Sequence, residues 1–184
     1  MHTDEMWQLY FPNGEPIPGV GWDSARDNPE EKDPEIVGVA VVFVFRKTKE
    51  NGLELLWQKR SAGVSRFPGF YDISAGGHIN LGESLIEAAV REAREEIGAV
   101  ISPEDLGFVT MRGFNKNRFA WVYAVDWTDR VDEFRFDDEE VEEVKWVPFE
   151  MTHEFKEKYA KPSLKKDNLT FEALKIWFET HGYL

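Results

Sequence analysis

The sequence predicts an α/β fold, a mixed β-sheet covered by helices on both faces in an α/β/α sandwich. Three observations carry that prediction. The run "IVGVAVVFVF" (Ile36 to Phe45) is β-branched and aromatic and reads as the buried central strand. Further strand-like runs, separated by turn signals, follow it along most of the chain. Helical patterns are few: one sharply capped helix over roughly Leu85 to Ile97 and two stretches near the C-terminus. With 184 residues the chain suits one domain with a sizeable core, expected to span 1–184 with its core at about 36–150.

Taken in order, "MWQLYF" followed by "PNGEP" predicts a short strand and a turn, and "DSARDNPEEKDPE" a polar surface connection. These form an N-terminal strand and loop extension over 1–35. After the central strand, Asn51 and Gly52 mark a turn into "LELLWQKR", which makes a hairpin. The stretch "SAGVSRFPGFYDISAGGHINLGE" is rich in Gly and carries Pro68, so it reads mostly as loop with a short strand around Phe70 to Ser74. Long ordered loops in compact domains are often functional.

The helix after that loop has defined ends. Ser84 with Glu87 three residues on is a capping-box signature, and Gly98 supplies the stop. Beyond it, "GFVTMRGF", "RFAWVYAVDW" and "VEEVKWVPF" read as strands, and the C-terminal helices of about 150–181 as one stretch near Glu150 to Tyr159 and another near Thr170 to Thr180. There is no internal repeat and no low-complexity segment.

Composition narrows the function. Lys and Arg total 22 against 35 Asp and Glu, a formal net charge of -13 that argues against a nucleic-acid polymer or an anionic membrane face as partner. An anionic substrate must be met locally, by a metal or a few placed cations. The absence of cysteine excludes disulfides, thiolate metal sites and a cysteine nucleophile. The acidic start "MHTDEMWQLY" does not resemble a secretory signal, and the ten-residue run Ile36 to Phe45 is about half a membrane span, so a cytoplasmic protein is expected.

On the central helix, a rotation of about 100° per residue places Ile86, Val90, Ala93 and Ile97 on one stripe, the expected core side. Glu92, Glu95 and Glu96 fall together on the adjoining face, with Ala88 and Ala89. Like charges at this spacing cost a few tenths of a kcal/mol per pair. A divalent cation bound by oxygen ligands would offset that cost; a solvated acidic face is the other reading.

The wider spacing is more specific. Gly77, five residues, Glu83, seven residues and then Arg91, Glu92, Ala93, Arg94, Glu95, Glu96, Ile97, Gly98, Ala99 resembles the box of the Nudix hydrolases, G-x5-E-x7-R-E-U-x-E-E-x-G-U with U apolar. Seven fixed positions match, which by chance happens on the order of once in 10⁸ start points. Both U positions, Ala93 and Ala99, are small.

The resemblance implies the Nudix fold and a divalent-metal-dependent hydrolase, a pyrophosphatase-type enzyme in which water attacks phosphorus in a nucleoside diphosphate derivative or related small diphosphate. It implies Mg²⁺ or Mn²⁺ held by Glu92, Glu95, Glu96 and the carbonyl of Gly76. Glu83 would support the site and Arg91 orient its carboxylates. The general base is either a glutamate of the box, such as Glu95, or Glu139 or Glu140 from the later stretch "DDEEVEEVKW". Arg60 resembles the arginine that ends an early Nudix strand near the substrate, with Lys59, Arg66, Arg112 and Arg118 as other phosphate partners. Phe70, or else Phe67, Tyr71 or Phe114, could stack on a base. The family places no demand on His78. A monomer or homodimer acting on a small diphosphate is expected.

The stretch from Leu55 to Gly98, with the early "WQLYFPNGEPIPG", looks like the Nudix branch related to isopentenyl diphosphate isomerase. Those isomerases carry a catalytic cysteine where this chain has Gly76, so the resemblance favours hydrolysis. A non-catalytic nucleotide-sensing Nudix module is the further alternative; such modules tend to lose box glutamates, and this chain keeps them all.

Overall fold

The computed structural model describes residues 6–23, 36–113, 118–136 and 139–184. The connection read at residues 23–35 lies almost wholly outside them, and so does Phe114. Strands β1 (Met6–Tyr10) and β2 (Pro16–Asp23) form an antiparallel pair around the expected turn. The sequence reading contains no strand at β2. Pro16 and Pro18 argue against a central strand, and among the described residues β2 pairs only with β1, an edge position where proline is tolerated.

Strand β3 (Ile36–Thr48) organises the rest. One of its edges pairs in parallel with β8 (Arg118–Asp126) along nearly its whole length, from Val37↔Arg118 to Phe45↔Asp126. The other edge meets three partners in succession: β1 at Ile36 and Val37, β6 (Ala75–His78) at Val39 to Val42, and β4 (Gly52–Arg60) at Phe45 to Thr48. β4 therefore leaves β3 after Leu55 and continues between β5 (Tyr71–Asp72) and β9 (Val141–Pro148). β7 (Gly107–Gly113) closes the far side against β8. The sheet forks where β4 departs, and β6 fills the fork.

β6 falls where the sequence reads loop, because Gly76 and Gly77 are poor strand formers. Contacts explain the glycines. A Cβ on Gly76 would lie 2.7 Å from the Ala40 carbonyl oxygen, and one on Gly77 would lie 2.2 Å from Glu92 Oε1.

The two faces of β3 separate two cores. Ala40, Val42 and Val44 pack with α1 (Leu85–Ile97), while Val41, Phe43 and Phe45 point to the side of α4 (Asn168–Thr180). Phe43 and Phe45 are at most 1% exposed, and burying such a ring stabilises by about 1.5–3 kcal/mol. Helices α2 (Thr152–Tyr159) and α4 fall in the two expected C-terminal stretches, joined by a short α3 (Pro162–Lys165) that the sequence reading does not contain. Helices on both faces of a mixed sheet make the α/β/α sandwich.

Helix α1 has the expected bounds. Ser84 Oγ accepts from Glu87 N–H at 3.2 Å, Glu87 Oε2 accepts from Ser84 N–H at 2.9 Å, and Gly98 stops the helix at φ 65°. Its buried face differs from the expected stripe. Ala88, Ala89, Ala93 and Ile97 are fully buried, Ile86 and Val90 only partly, and Glu92 and Glu96 lie on the buried side. The alanines let the helix approach β6 and β3 closely enough to carry two glutamates inward.

Candidate active site

Glu83, in the loop before α1, and Glu92 and Glu95, on the helix, converge on one guanidinium. Arg91 Nε and Nη2 donate to the two oxygens of Glu83 at 2.8 and 3.0 Å, while Nη1 donates to Glu92 Oε1 at 2.7 Å and to Glu95 Oε2 at 2.9 Å. Nη2 also donates to the His78 carbonyl at 2.9 Å, which ties the helix to the end of β6. Glu83 Oε2 accepts the Asn80 N–H at 2.9 Å, so this carboxylate is held from both sides. Burial works against the Arg91 charge, but its hydrogen bonds to Glu83, Glu92 and Glu95 and the negative charge of Glu92 outweigh it and raise its pKa.

Glu96 faces the other way. Its Oε2 accepts from the Gly76 N–H at 2.8 Å and from Gln58 Nε2 at 2.9 Å. Burial above all, and then the negative charge of Glu92, push its pKa well above the ordinary carboxylate value, while the Gly76 and Gln58 hydrogen bonds oppose the rise. Gln58 is a partner of the candidate site that the sequence does not point to. Its one signal was a lone amide closing the otherwise apolar half of "LELLWQ".

The elements explain this placement. Ile79 N–H bonds to the Gly38 carbonyl, so by the alternation of an antiparallel ladder Gly76 is in a non-bonded pair with Val41. Both backbone groups of Gly76 therefore leave β3 on the edge where Glu96 waits. The missing side chain of Gly77 makes room for the Glu92 carboxylate.

Of these residues Gly76, Gly77, Arg91, Glu92, Glu95 and Glu96 line a cavity of about 500 Å³, together with the apolar Val39, Val41, Ala120 and Val122. Arg60, Arg91, Glu92, Glu95, Glu96, Gly76, Glu140 and Arg118 reach it; Glu139 and Phe70 are not among its lining residues. Glu139 is exposed with φ 61°, and Phe70 is 37% exposed with its ring edge-on to Phe67. Of the other cations, Lys59 pairs with Glu142 and Arg112 with Asp167. His78, stacked on Trp7 at 3.5 Å between ring centres, has its pKa lowered to about 3 by burial and by Arg118, Arg66 and Arg91.

The donor set suits a hard divalent cation. Glu92, Glu95, Glu96 and the Gly76 carbonyl are all oxygen donors, and one guanidinium among four carboxylates leaves the site negative. Among the described residues no three acidic or histidine side chains are gathered at coordinating distance, because Glu92 and Glu95 turn to Arg91 and Glu96 to Gly76 and Gln58. Glu95, with its side chain 40% exposed, can exchange that contact for a cation at small cost.

Known proteins resemble this chain in sequence and in fold. The NUDIX domain family model matches residues 34–166. Nudix hydrolase 3 of Arabidopsis thaliana is 35% identical over 126 residues, which are 62% of this chain but only 16% of that protein. An uncharacterized Nudix hydrolase of Streptomyces coelicolor, SCO1686, is 31% identical over 145 residues, 77% of this chain and 76% of that one. An isopentenyl-diphosphate Delta-isomerase of Escherichia coli is 30% identical over 100 residues, 50% of this chain and 53% of that one. Among solved structures, DR0079 from Deinococcus radiodurans superposes with a TM-score of 0.67 at 23% identity, covering 92% of this chain and 99% of its own. The complete box, the forked sheet that presents it and these matches together show that the chain belongs to the Nudix hydrolase family.

Proposed function

We propose that this protein is a divalent-metal-dependent pyrophosphohydrolase that cleaves the anhydride of a nucleoside diphosphate derivative or a related small diphosphate by water attack on phosphorus. The observation that carries the reading is that Glu96, buried against Gly76, and Glu92 and Glu95, held by an Arg91 that Glu83 anchors, line one cavity. Mg²⁺ or Mn²⁺ held by Glu92, Glu95, Glu96 and the Gly76 carbonyl would supply charge neutralisation and a more acidic water.

The chain's own residues do the rest. Arg91, anchored by both oxygens of Glu83, sets the rotamers of Glu92 and Glu95. Glu95 on the helix or Glu140, which also lines the cavity, is the acceptor for the water proton, Glu140 being favoured over Glu139 because Glu139 is not among the lining residues. Arg60, which lines the cavity, would meet the leaving or attacked phosphoryl group. Isomerisation through a cysteine is disfavoured, since Gly76 holds that position and the chain has no cysteine.

The test is a substrate panel of nucleoside di- and triphosphates, ADP-ribose, dinucleoside polyphosphates and prenyl diphosphates with Mg²⁺, assayed for released phosphate and pyrophosphate. Turnover of at least one, lost on adding EDTA, is expected. No turnover of any would overturn the hydrolase reading in favour of a nucleotide-sensing module.

A further inference from the structure

The cavity has a second charged wall, built by three adjacent strand segments. Along β4, Gln58 and Arg60 share one face. Gln58 reaches Glu96, and Arg60 brings Nη1 to 4.0 Å from Asp72 Oδ2. Asp72 lies opposite Gln58 on β5 and is only 3% exposed. Beyond β5 the chain after α2 docks as a further short segment: Ala160 forms a parallel bridge to Tyr71, and Lys161 N–H donates to the Tyr71 carbonyl at 3.0 Å. Pro162 then opens α3, so the Lys161 backbone is held on both sides. Its ammonium donates to Asp72 Oδ2.

Two cations thus share one buried carboxylate, which leaves the trio with a single net positive charge on the cavity wall. A solvated surface pair would not look like this, because the side chains of Arg60 and Lys161 are only 16% and 24% exposed. Donors remain available. Lys161 has three N–H groups and directs one to Asp72; Arg60 has five and directs Nε to the Arg66 carbonyl at 3.0 Å. Asp72 holds both cations at the cavity that Glu92 and Glu96 also line.

We propose that Lys161 and Arg60, set side by side by Asp72, seat a phosphoryl group of the substrate, so that the segment between α2 and α3 supplies a binding residue that the box does not encode. This rests on the reading of the cavity as a pyrophosphate site and extends it. Gln58, beneath the cavity, bonds to Glu96 and lies opposite Asp72, and the box glutamates, Arg60 and Lys161 all line the same cavity, so one diphosphate can address both groups. The ligand class is a di- or polyphosphate with a phosphoryl group accessible at one end.

Inorganic pyrophosphate in EDTA is the probe, with binding measured by titration calorimetry. The wild-type protein should bind it. Lys161→Gln should weaken binding roughly 10- to 100-fold, as expected for removing a charge-assisted hydrogen bond, and Lys161→Arg should retain most of it. Thermal melts without ligand check that each variant is folded; if Lys161→Gln does not fold, Arg60→Gln carries the same expectation. In hydrolysis, Lys161→Gln should raise KM with kcat little changed. No binding by the wild type, or equal binding by the folded variants, would overturn the proposal. Glu96→Gln separates the two readings: it should abolish hydrolysis and leave pyrophosphate binding in EDTA intact.

Discussion

Arg91 and Glu83 are joined by two hydrogen bonds, Nε to Oε1 at 2.8 Å and Nη2 to Oε2 at 3.0 Å, a fork-to-fork pair that links the loop before α1 to the middle of that helix. The two lie eight positions apart in sequence, and the pairing fixes the guanidinium plane from which Glu92 and Glu95 take their orientation.

Arg91→Lys keeps the charge and removes the fork. The ammonium cannot serve both oxygens of Glu83 and the carboxylates of Glu92 and Glu95 in one plane, so the expected result is a fall in kcat/KM of about 100-fold or more with a stability loss of about 1–3 kcal/mol. Steady-state kinetics together with urea unfolding measure both. Kinetics indistinguishable from wild type would remove Arg91 from its orienting role.

Gly77→Ala tests the close packing of β6 against α1. The new Cβ would lie 2.2 Å from Glu92 Oε1 and 2.4 Å from its Cδ, so the carboxylate must swing away. Overpacking of this kind costs typically about 1–3 kcal/mol. The Mg²⁺ concentration needed for half-maximal activity should rise at least several-fold. An unchanged Mg²⁺ dependence would mean that Glu92 is not where the cation binds.

Glu96 links stability to pH. Its folded-state pKa is raised above the reference value of 4.5, so the fold favours the protonated form. The stabilisation is fully present below the unfolded value and is lost as pH climbs toward the folded one. In EDTA the melting temperature should therefore fall as pH rises above about 4.5, and Glu96→Gln should flatten that decline while cutting turnover by orders of magnitude. Mg²⁺ should restore the wild type more at high pH than at low, since a cation bound to the folded state stabilises it by linkage. Melts across pH 4.5–8, with and without Mg²⁺, would show a parallel decline in both proteins if the carboxylate were not the source.

His78 acts in the opposite direction. Its folded pKa is lowered to about 3 from 6.5, so the unfolded chain takes up the proton first as pH falls. Stability is fully present above pH 6.5 and is lost between 6.5 and about 3, at up to roughly 1.4 kcal/mol per pH unit. His78→Phe keeps a ring against Trp7 and cannot titrate. The wild-type minus variant difference in unfolding free energy should grow steadily more unfavourable to the wild type across that window. A difference independent of pH would assign the acid loss elsewhere.

The bounds of α1 and the spacing of Gly77, Glu83, Arg91, Glu92, Glu95 and Glu96 were legible in the chain itself. Caps and helical periodicity are set within a few residues of one another, and a motif is by nature a matter of spacing. The central strand Ile36 to Phe45 and its hairpin through Asn51 and Gly52 were legible for the same reason: β-branched runs and turn dipeptides act locally.

The tertiary structure decided the rest. Periodicity could say that Glu92 and Glu96 share a face of α1, but only the fork between β3 and β4, with β6 inside it, could bury them. Strand character in "AGGH" was invisible because the glycines lower β-propensity, and their purpose is the close approach of Ala40 and Glu92 from elements far along the chain. Gln58 became a partner of Glu96 from 38 residues away, and Lys161 met Asp72 from 89 residues away. Such encounters depend on how sheet and helices close on one another, a property of the whole chain that no short window of sequence contains.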